Sequence, residues 1–383
     1  DYTTQNDNFL PPDNIQLRPY KGAAHRTSPT NIGLYMLTVV GAKDLGFISI
    51  EEMEKRLSDT LETLERLEKW RGHLLNWYNT QTLEPLYPRY VSTVDSGNFI
   101  CYLIAVCAAV YEYAGERSEK LVMRIKKLIS ETKFNVLFDS DKGLFSVGFS
   151  VEENKLSNSY YDMLESEARQ TVFLSVARGE IKTESWFRLS RSLVSNDGYF
   201  GLVSWTGTMF EYFMPLILMR EYKNTLFYES SRFAIRSQKK FAAKRGMPWG
   251  VSESGFFGFD ASMNYQYKAF GIPSLALKRG MIRESVAAPY ATLLALMVER
   301  DEALKNLKRL KKLGAVGEYG FYEALDYTAG RVGNEKYAIV KSYMAHHQGM
   351  GFASVVNVLC HNIMQKRFEK FPEVKACLSL LSE

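Results

Sequence analysis

The sequence predicts an all-α fold, a toroid (barrel) of alternating inner and outer helices, with long loops and a small β-hairpin gathered at one end. Three observations lead there. Apolar residues recur at spacings of three and four through most of the chain, strand-like alternation is short, and loops of roughly ten to thirty residues separate about a dozen helical segments. With 383 residues, 46% of them hydrophobic, the chain can bury a large core.

Residues 1–24 contain Pro11, Pro12, Pro19 and Gly22 without periodicity and read as an arm or linker. Residues 25–383 read as the domain proper. A helix is expected over about 30–43. The next, Ser49 to Trp70, carries Met53, Leu57, Leu61, Leu64 and Leu67 on one stripe. Its start has the form of a capping box between Ser49 and Glu52, with Ile48 able to staple onto Met53. Helices follow at about 96–113 and through Leu121, Ile125, Leu128 and Ile129. Leu144 to Phe149 alternates between turn residues and reads as the hairpin. Further helices are expected at about 163–178, 208–220, 225–244 and 287–299. The last two span Leu304 to Leu313, stopped by Gly314, and about 338–358.

Several function classes fall away. Basic and acidic residues, 48 against 43, are mixed along the chain, and the lysines from Lys305 to Lys312 alternate with leucines as the solvated face of a helix. No nucleic-acid partner is expected. No phosphate-binding glycine loop or GxSxG elbow occurs, which argues against nucleotide chemistry and serine hydrolysis. His346 and His347 are adjacent, whereas a helical zinc pair prefers a spacing of four, so neither metal nor cofactor is expected. Cys101, Cys107, Cys360 and Cys377 form no CxxC pair, which fits a reducing compartment. The apolar run Phe99 to Tyr111 is too short to cross a bilayer. The start at Asp1 lacks an initiator Met, as in a soluble segment of a longer protein.

Five stretches share an unusual composition: residues 25–31, 76–98, 159–169, 248–254 and 317–327 combine aromatics, carboxylates and amides with Gly and Pro. Sugars present apolar faces and hydroxyl rims, so their sites need flat rings beside groups that both donate and accept hydrogen bonds. Trp77, Tyr78, Trp249, Tyr319 and Tyr322 neighbour Gly, Pro, Asn or carboxylates rather than an apolar stripe, as platforms do. Glycosidic chemistry also needs one protonated and one ionised carboxyl. Glu253 stands between Trp249 and Phe256-Phe257, where desolvation raises a carboxyl pKa as a general acid requires. Glu167 follows Tyr160-Tyr161-Asp162 at the mouth of a helix, with Glu165 nearby. Composition alone does not choose two of 43 acids.

The ordered motifs do. His25-Arg26-Thr27-Ser28-Pro29-Thr30-Asn31, Asn76-Trp77-Tyr78, Pro88-Arg89-Tyr90-Val91-Ser92-Thr93-Val94-Asp95-Ser96-Gly97-Asn98, Ser159-Tyr160-Tyr161-Asp162 and Ser166-Glu167-Ala168-Arg169 resemble the middle domain of bacterial cyclic β-1,2-glucan synthases. So do the runs Ser204 to Tyr212, Pro248 to Ser254, Tyr265-Gln266-Tyr267, Leu277 to Gly280, Gly320 to Tyr327 and Met344 to Met350.

The resemblance implies an (α/α)6 toroid related to β-1,2-glucanases and a transglycosylase that closes linear β-1,2-glucan into a ring with retention. It puts the two catalytic glutamates at Glu167 and Glu253; a double displacement with Glu253 as acid and base and Glu167 as nucleophile is the expected mechanism, and the reverse assignment of the two roles stays open. Arg26, Asn31, Arg89, Tyr90, Asp95, Asn98, Tyr160, Tyr161, Asp162, Tyr265, Glu323, Asp326, His346, His347 and Gln348 join the five aromatics as substrate-binding candidates. Covalently linked glycosyltransferase and phosphorylase-like domains are implied on either side, with this domain on the cytoplasmic face of an inner-membrane protein. An inverting β-1,2-glucan hydrolase on the same scaffold and a non-catalytic glucan-binding module are the alternatives.

Overall fold

Two kinds of helix alternate along the chain in a computed structural model that describes residues 2–383. Helices α1 (Pro29–Asp44), α3 (Thr93–Ala114), α5 (Ala168–Ala177), α7 (Met209–Phe213) and α9 (Pro289–Leu294) are buried on most of their circumference. Helices α2 (Ile50–Arg66), α4 (Glu119–Glu131), α8 (Leu226–Lys244) and α10 (Arg300–Lys312) bury one apolar stripe and expose charge on the rest. A helix apolar all round belongs inside; an amphipathic one covers it. The short α6 (Glu184–Arg188) and α11 (Ala329–Val332) precede a final run of α12 (Ala345–Leu359), α13 (Ile363–Glu369) and α14 (Pro372–Ala376).

Each inner helix is covered by the next helix in sequence: α1 by α2, α3 by α4, α5 by α6, α7 by α8, α9 by α10 and α12 by α13. The inner helices also touch each other in order, α1 with α3, α3 with α5, α7 with α9, α9 with α12, and α12 back against α1. Between α5 and α7, Arg169 Nη2 donates to the Tyr212 carbonyl at 3.0 Å. Contact of α3 with α5 is close because Gly97 lacks a side chain; a Cβ there would lie 1.8 Å from Thr171 Oγ1. One helical stretch, Thr93–Leu137, has the length and mean hydropathy (1.6) to span a membrane, yet 83% of its apolar window is buried in the fold.

Caps set the helix starts. Ser28 Oγ accepts from the Asn31 amide at 3.3 Å, with Pro29 in the first turn. Ser49 Oγ accepts from the Glu52 amide at 3.2 Å, but the reciprocal half of the expected box is missing because Glu52 instead accepts from Arg56 Nε at 2.6 Å. The complete capping box is at Thr208 and Glu211.

The chain is mainly helical but not all-α. Eight small antiparallel sheets occur among the described residues, the largest of five strands. Apart from Pro85–Ser92 and Ser254–Phe259, their strands are two to four residues long, too short to show a period of two. The expected hairpin over 144–149 is divided: Leu144–Ser146 pairs with Phe138–Asp139 and Tyr160–Tyr161, while Gly148–Ser150 joins Pro85–Ser92. Between them Val147 donates to the Ser159 carbonyl and accepts from Thr93, which carries the chain from one sheet to the next. The segment expected as an arm packs on the body. Asn14–Gln16 pairs with Ser342–Met344, Leu10 is fully buried and Asp13 is 1% exposed. That pairing also shortens the last expected long helix, which starts at Ala345. Likewise α5 starts at Ala168, since Leu164 donates to the Ser190 carbonyl instead of entering the helix.

Candidate active site

The inner helices bring their first turns to one place. Thr30 opens α1, Asp95 and Asn98 lie in α3, Glu167 caps α5, Phe210 is in α7, and Met344 and His346 flank the start of α12; all line one cavity of about 320 Å³. Tyr290 of α9 donates from its hydroxyl to the Glu253 carbonyl at 2.9 Å. Helix N-termini carry partial positive charge, which favours acidic groups in their path. Asp13, Asp95, Glu167 and Glu253 line the same cavity.

Hydrogen bonds fix this end. Asp95 accepts from Thr30 Oγ1 at 2.6 Å and Asn76 Nδ2 at 3.0 Å. Gln170 Nε2 donates to Asn98 Oδ1 at 3.3 Å, and the Asn98 side chain favours the ionised form of Glu167. Arg26 Nη2 is paired with Asp13 Oδ2 at 3.1 Å, and its guanidinium lies 5.4 Å from the Trp77 ring centroid. Behind Glu167, Glu165 and Arg169 form a buried pair at 2.5 Å, where burial raises the Glu165 carboxyl to about 7.

Burial pushes the Glu167 carboxyl well above its usual range, and the negative charges of Glu253, Asp95 and Glu211 push it further. Burial also raises Glu253, to about 8, helped by Glu211 and Asp95 and opposed by the Tyr267 hydroxyl. Two such carboxyls facing one cavity do not both ionise readily near neutral pH. Near neutral pH the pair therefore holds at least one proton.

The cavity continues on both sides. Glu167 is shared with a second space of about 590 Å³ lined by Tyr160, Tyr161, Asp162, Trp205 and Glu211. Trp205 Nε1 donates to Asp162 Oδ1 at 2.9 Å, which fixes the indole beside the groove. Arg26, Tyr267 and Met344 are shared with a third space of about 240 Å³ lined also by Gln16, Asp260, Asn264 and Tyr265. The result is an extended groove with Glu167 and Glu253 near its middle.

Of the residues expected at the site, Arg26, Trp77, Asp95, Asn98, Tyr160, Tyr161, Asp162, Glu167, Glu253, Tyr265 and His346 line this groove. The others do not, for physical reasons. Tyr78 is fully buried, donating to the Glu68 carbonyl and accepting from the Leu75 amide. Trp249 is buried, with its backbone amide and carbonyl held by Asn306. Asn31 is buried and donates to Asp13 Oδ1 at 3.2 Å. Arg89 is held at the surface between Glu68 and Glu152, and the Tyr90 hydroxyl pairs with Ser157. Tyr319 and Tyr322 cluster around Tyr343. Asp326 is fully buried between Arg331 and the Phe257 amide. Gln348 donates to the Phe321 carbonyl. Glu323 and His347 are bonded together behind the cavity wall.

Asp13, Trp205, Glu211 and Tyr267 were missed. Asp13 lies in the segment set aside as an arm, whereas the runs Ser204 to Tyr212 and Tyr265 to Tyr267 already carried the other three. Glu211 accepts from Ser204 Oγ at 3.0 Å, Thr206 Oγ1 at 2.5 Å and the Thr208 amide at 3.1 Å. Among the described residues no group of three or more His, Cys, Asp or Glu side chains forms a metal site.

A family model described as "putative glucoamylase" matches residues 159–372, and one described as a protein of unknown function (DUF3131) matches residues 19–101. All of this chain aligns, with 33% identity, to cyclic β-(1,2)-glucan synthase NdvB of Rhizobium meliloti, of which it spans 18%. Among solved structures, a glucoamylase-like protein from Bacteroides fragilis superimposes with a TM-score of 0.81 at 19% identity, covering 100% of this chain and 93% of that one. The endo-β-1,2-glucanase of Chitinophaga pinensis, in complex with sophorotriose and glucose, superimposes with a TM-score of 0.80 at 17% identity, covering 98% of this chain and 92% of that one. These last two likenesses establish a shared helical fold.

Proposed function

The chain belongs to the glycoamylase family, and from that premise we propose that it is a transglycosylase domain that closes linear β-1,2-glucan into a ring. The observation that carries the reading is the placement of Glu167 and Glu253 in one cavity, both held toward the neutral form, at the middle of an extended groove. The likeness to part of a cyclic β-1,2-glucan synthase supports the substrate class. The six inner and outer helix pairs support an (α/α)6 toroid.

The reaction runs as a double displacement. The protonated member of the pair gives its proton to the leaving glycosidic oxygen, while the ionised member attacks the anomeric carbon and forms a glycosyl-enzyme. The same chain's distal hydroxyl then displaces the enzyme and gives up its proton to the member that acted as acid. One β-linkage breaks and one forms. The acceptor is tethered to the donor and so is present at high effective concentration, which favours it over water. Trp77, Tyr160, Tyr161 and Trp205 supply flat faces for glucose units along the groove. In the longer protein the neighbouring domains elongate and trim the glucan, and this domain works on the cytoplasmic side of the membrane.

Sodium azide separates the roles of the two glutamates. Glu167→Ala and Glu253→Ala should each lose activity by at least about 100-fold. Azide rescue should give an α-glycosyl azide from the variant lacking the nucleophile and a β-glycosyl azide from the variant lacking the acid and base. A single-displacement hydrolase gives no β-azide from either, and a binding module loses nothing in either variant.

A further inference from the structure

A line of polar groups with no part in the proposed reaction runs back into the protein from Tyr267, which shares the cavity with Glu253. Tyr267 lines the cavity with Glu253, and its hydroxyl favours the ionised form of that carboxyl. The same hydroxyl is 3.3 Å from His347 Nε2. His347 Nδ1 lies 2.9 and 3.1 Å from the two oxygens of Glu323. His347 is fully buried and its ring is stacked on Tyr290, centroids 3.7 Å apart and 7° from parallel. Glu323 is 2% exposed and accepts from the Gly255 amide at 2.9 Å, two residues from Glu253.

A neutral imidazole between a carboxyl and a phenol has two consistent arrangements. In the first, His347 donates from Nδ1 to ionised Glu323, Tyr267 donates to Nε2, and the phenol oxygen accepts from protonated Glu253. In the second, protonated Glu323 donates to Nδ1, Nε2 donates to the phenol oxygen, and Tyr267 donates to ionised Glu253. Passage from the first to the second moves the Glu253 proton to Tyr267, the Tyr267 proton to His347 Nε2 and the Nδ1 proton to Glu323. The net result is one proton carried from Glu253 to Glu323, with no charge left between them.

We propose that Tyr267, His347 and Glu323 form a proton relay that orients Glu253 and holds its proton in reserve, so that Glu253 and Glu323 share one proton across the cavity wall. The three are positioning residues for Glu253, and the inference rests on Glu253 being a reacting carboxyl. Burial keeps His347 neutral, at about 3, and raises Glu323 to about 7, beside the value of about 8 for Glu253. The other titratable or charged groups facing Glu253 are Glu211 on α7, Asp95 on α3, Glu167 before α5, Tyr290 on α9, and Asp13, Arg26 and His346, which line the same cavity; His346 Nε2 also lies 3.5 Å from the Tyr267 hydroxyl.

The test is a titration of the resting protein, followed through the carboxyl bands of labelled glutamate by infrared difference spectroscopy. It compares the unmodified chain with Tyr267→Phe, Glu323→Gln and the double variant; Glu253→Gln assigns the Glu253 band. Glu323→Gln should lower the Glu253 midpoint on the order of one pH unit, because the amide carries no charge to compete with ionised Glu253 and can donate to Nδ1 as protonated Glu323 does, which favours the second arrangement. In the Tyr267→Phe background most of that shift should vanish. An equal shift with and without the Tyr267 hydroxyl means repulsion through space and overturns the relay. If Glu323→Gln does not fold, Tyr267→Phe alone decides: the relay requires the Glu323 midpoint to move although Tyr267 does not touch Glu323, and an unmoved midpoint overturns it. In turnover, Glu323→Gln should move the alkaline limb of kcat/KM to lower pH in parallel. Because the titration needs no substrate, failure of ring formation and failure of the relay are read separately.

Discussion

At Glu253, the unfolded chain releases its proton near 4.5, whereas the folded chain holds it to about 8. Between those values the native state binds more protons than the unfolded state, so this residue's contribution to stability is complete below about pH 4.5 and is lost as pH rises through about 8. Glu253→Gln removes that dependence. Thermal melts should show its Tm gaining on that of the unmodified chain as pH rises from about 5 to about 9, and parallel curves would contradict the assigned burial cost. At Trp205, the indole is 42% exposed beside Asp162, the state of a platform waiting for a ligand. Trp205→Ala should weaken binding of linear β-1,2-glucan about tenfold, roughly 1.4 kcal/mol, in calorimetry. The motifs singled out Glu167 and Glu253, which the fold brings to one cavity. Tyr78 and Trp249 were misread because aromatics beside Gly, Pro and Asn look alike whether they face a groove or plug the core; only tertiary packing distinguishes them.

At the scale of elements, legibility followed length. Helices α2, α4 and α10 repeat their apolar spacing for three turns or more, and the sequence locates them. Strands such as Arg26–Thr27 and Tyr160–Tyr161 are two residues long, and their pairing is decided by partners far along the chain. Gly97 shows what such long-range contact demands. A methyl group there runs into Thr171 of α5. Gly97→Ala should therefore destabilise by about 1–3 kcal/mol in urea unfolding, even though alanine is the better helix former by about 1 kcal/mol. A more stable variant would show that α3 and α5 are farther apart than described.

For the whole molecule, the central feature is the gathering of inner-helix first turns around an acidic groove, each helix backed by an amphipathic neighbour. The segment around Asp13 belongs to that assembly, since Asp13 holds Arg26 and Asn31 while Asn14–Gln16 pairs with Ser342–Met344. Deleting residues 1–24 should lower Tm and abolish glucan binding, as read by calorimetry; a truncated chain that melts and binds as before would restore the reading of this stretch as an arm. Sequence alone hid this role, because two four-residue strands, with Pro11, Pro12 and Pro19 outside them, carry no period. The most direct test of the proposed reaction is mass spectrometry of the products formed from linear β-1,2-glucan in water enriched in oxygen-18. Ring closure predicts products lighter by one water than linear glucans of the same length, carrying no label. Linear fragments with oxygen-18 at new reducing ends, and no rings, would contradict it.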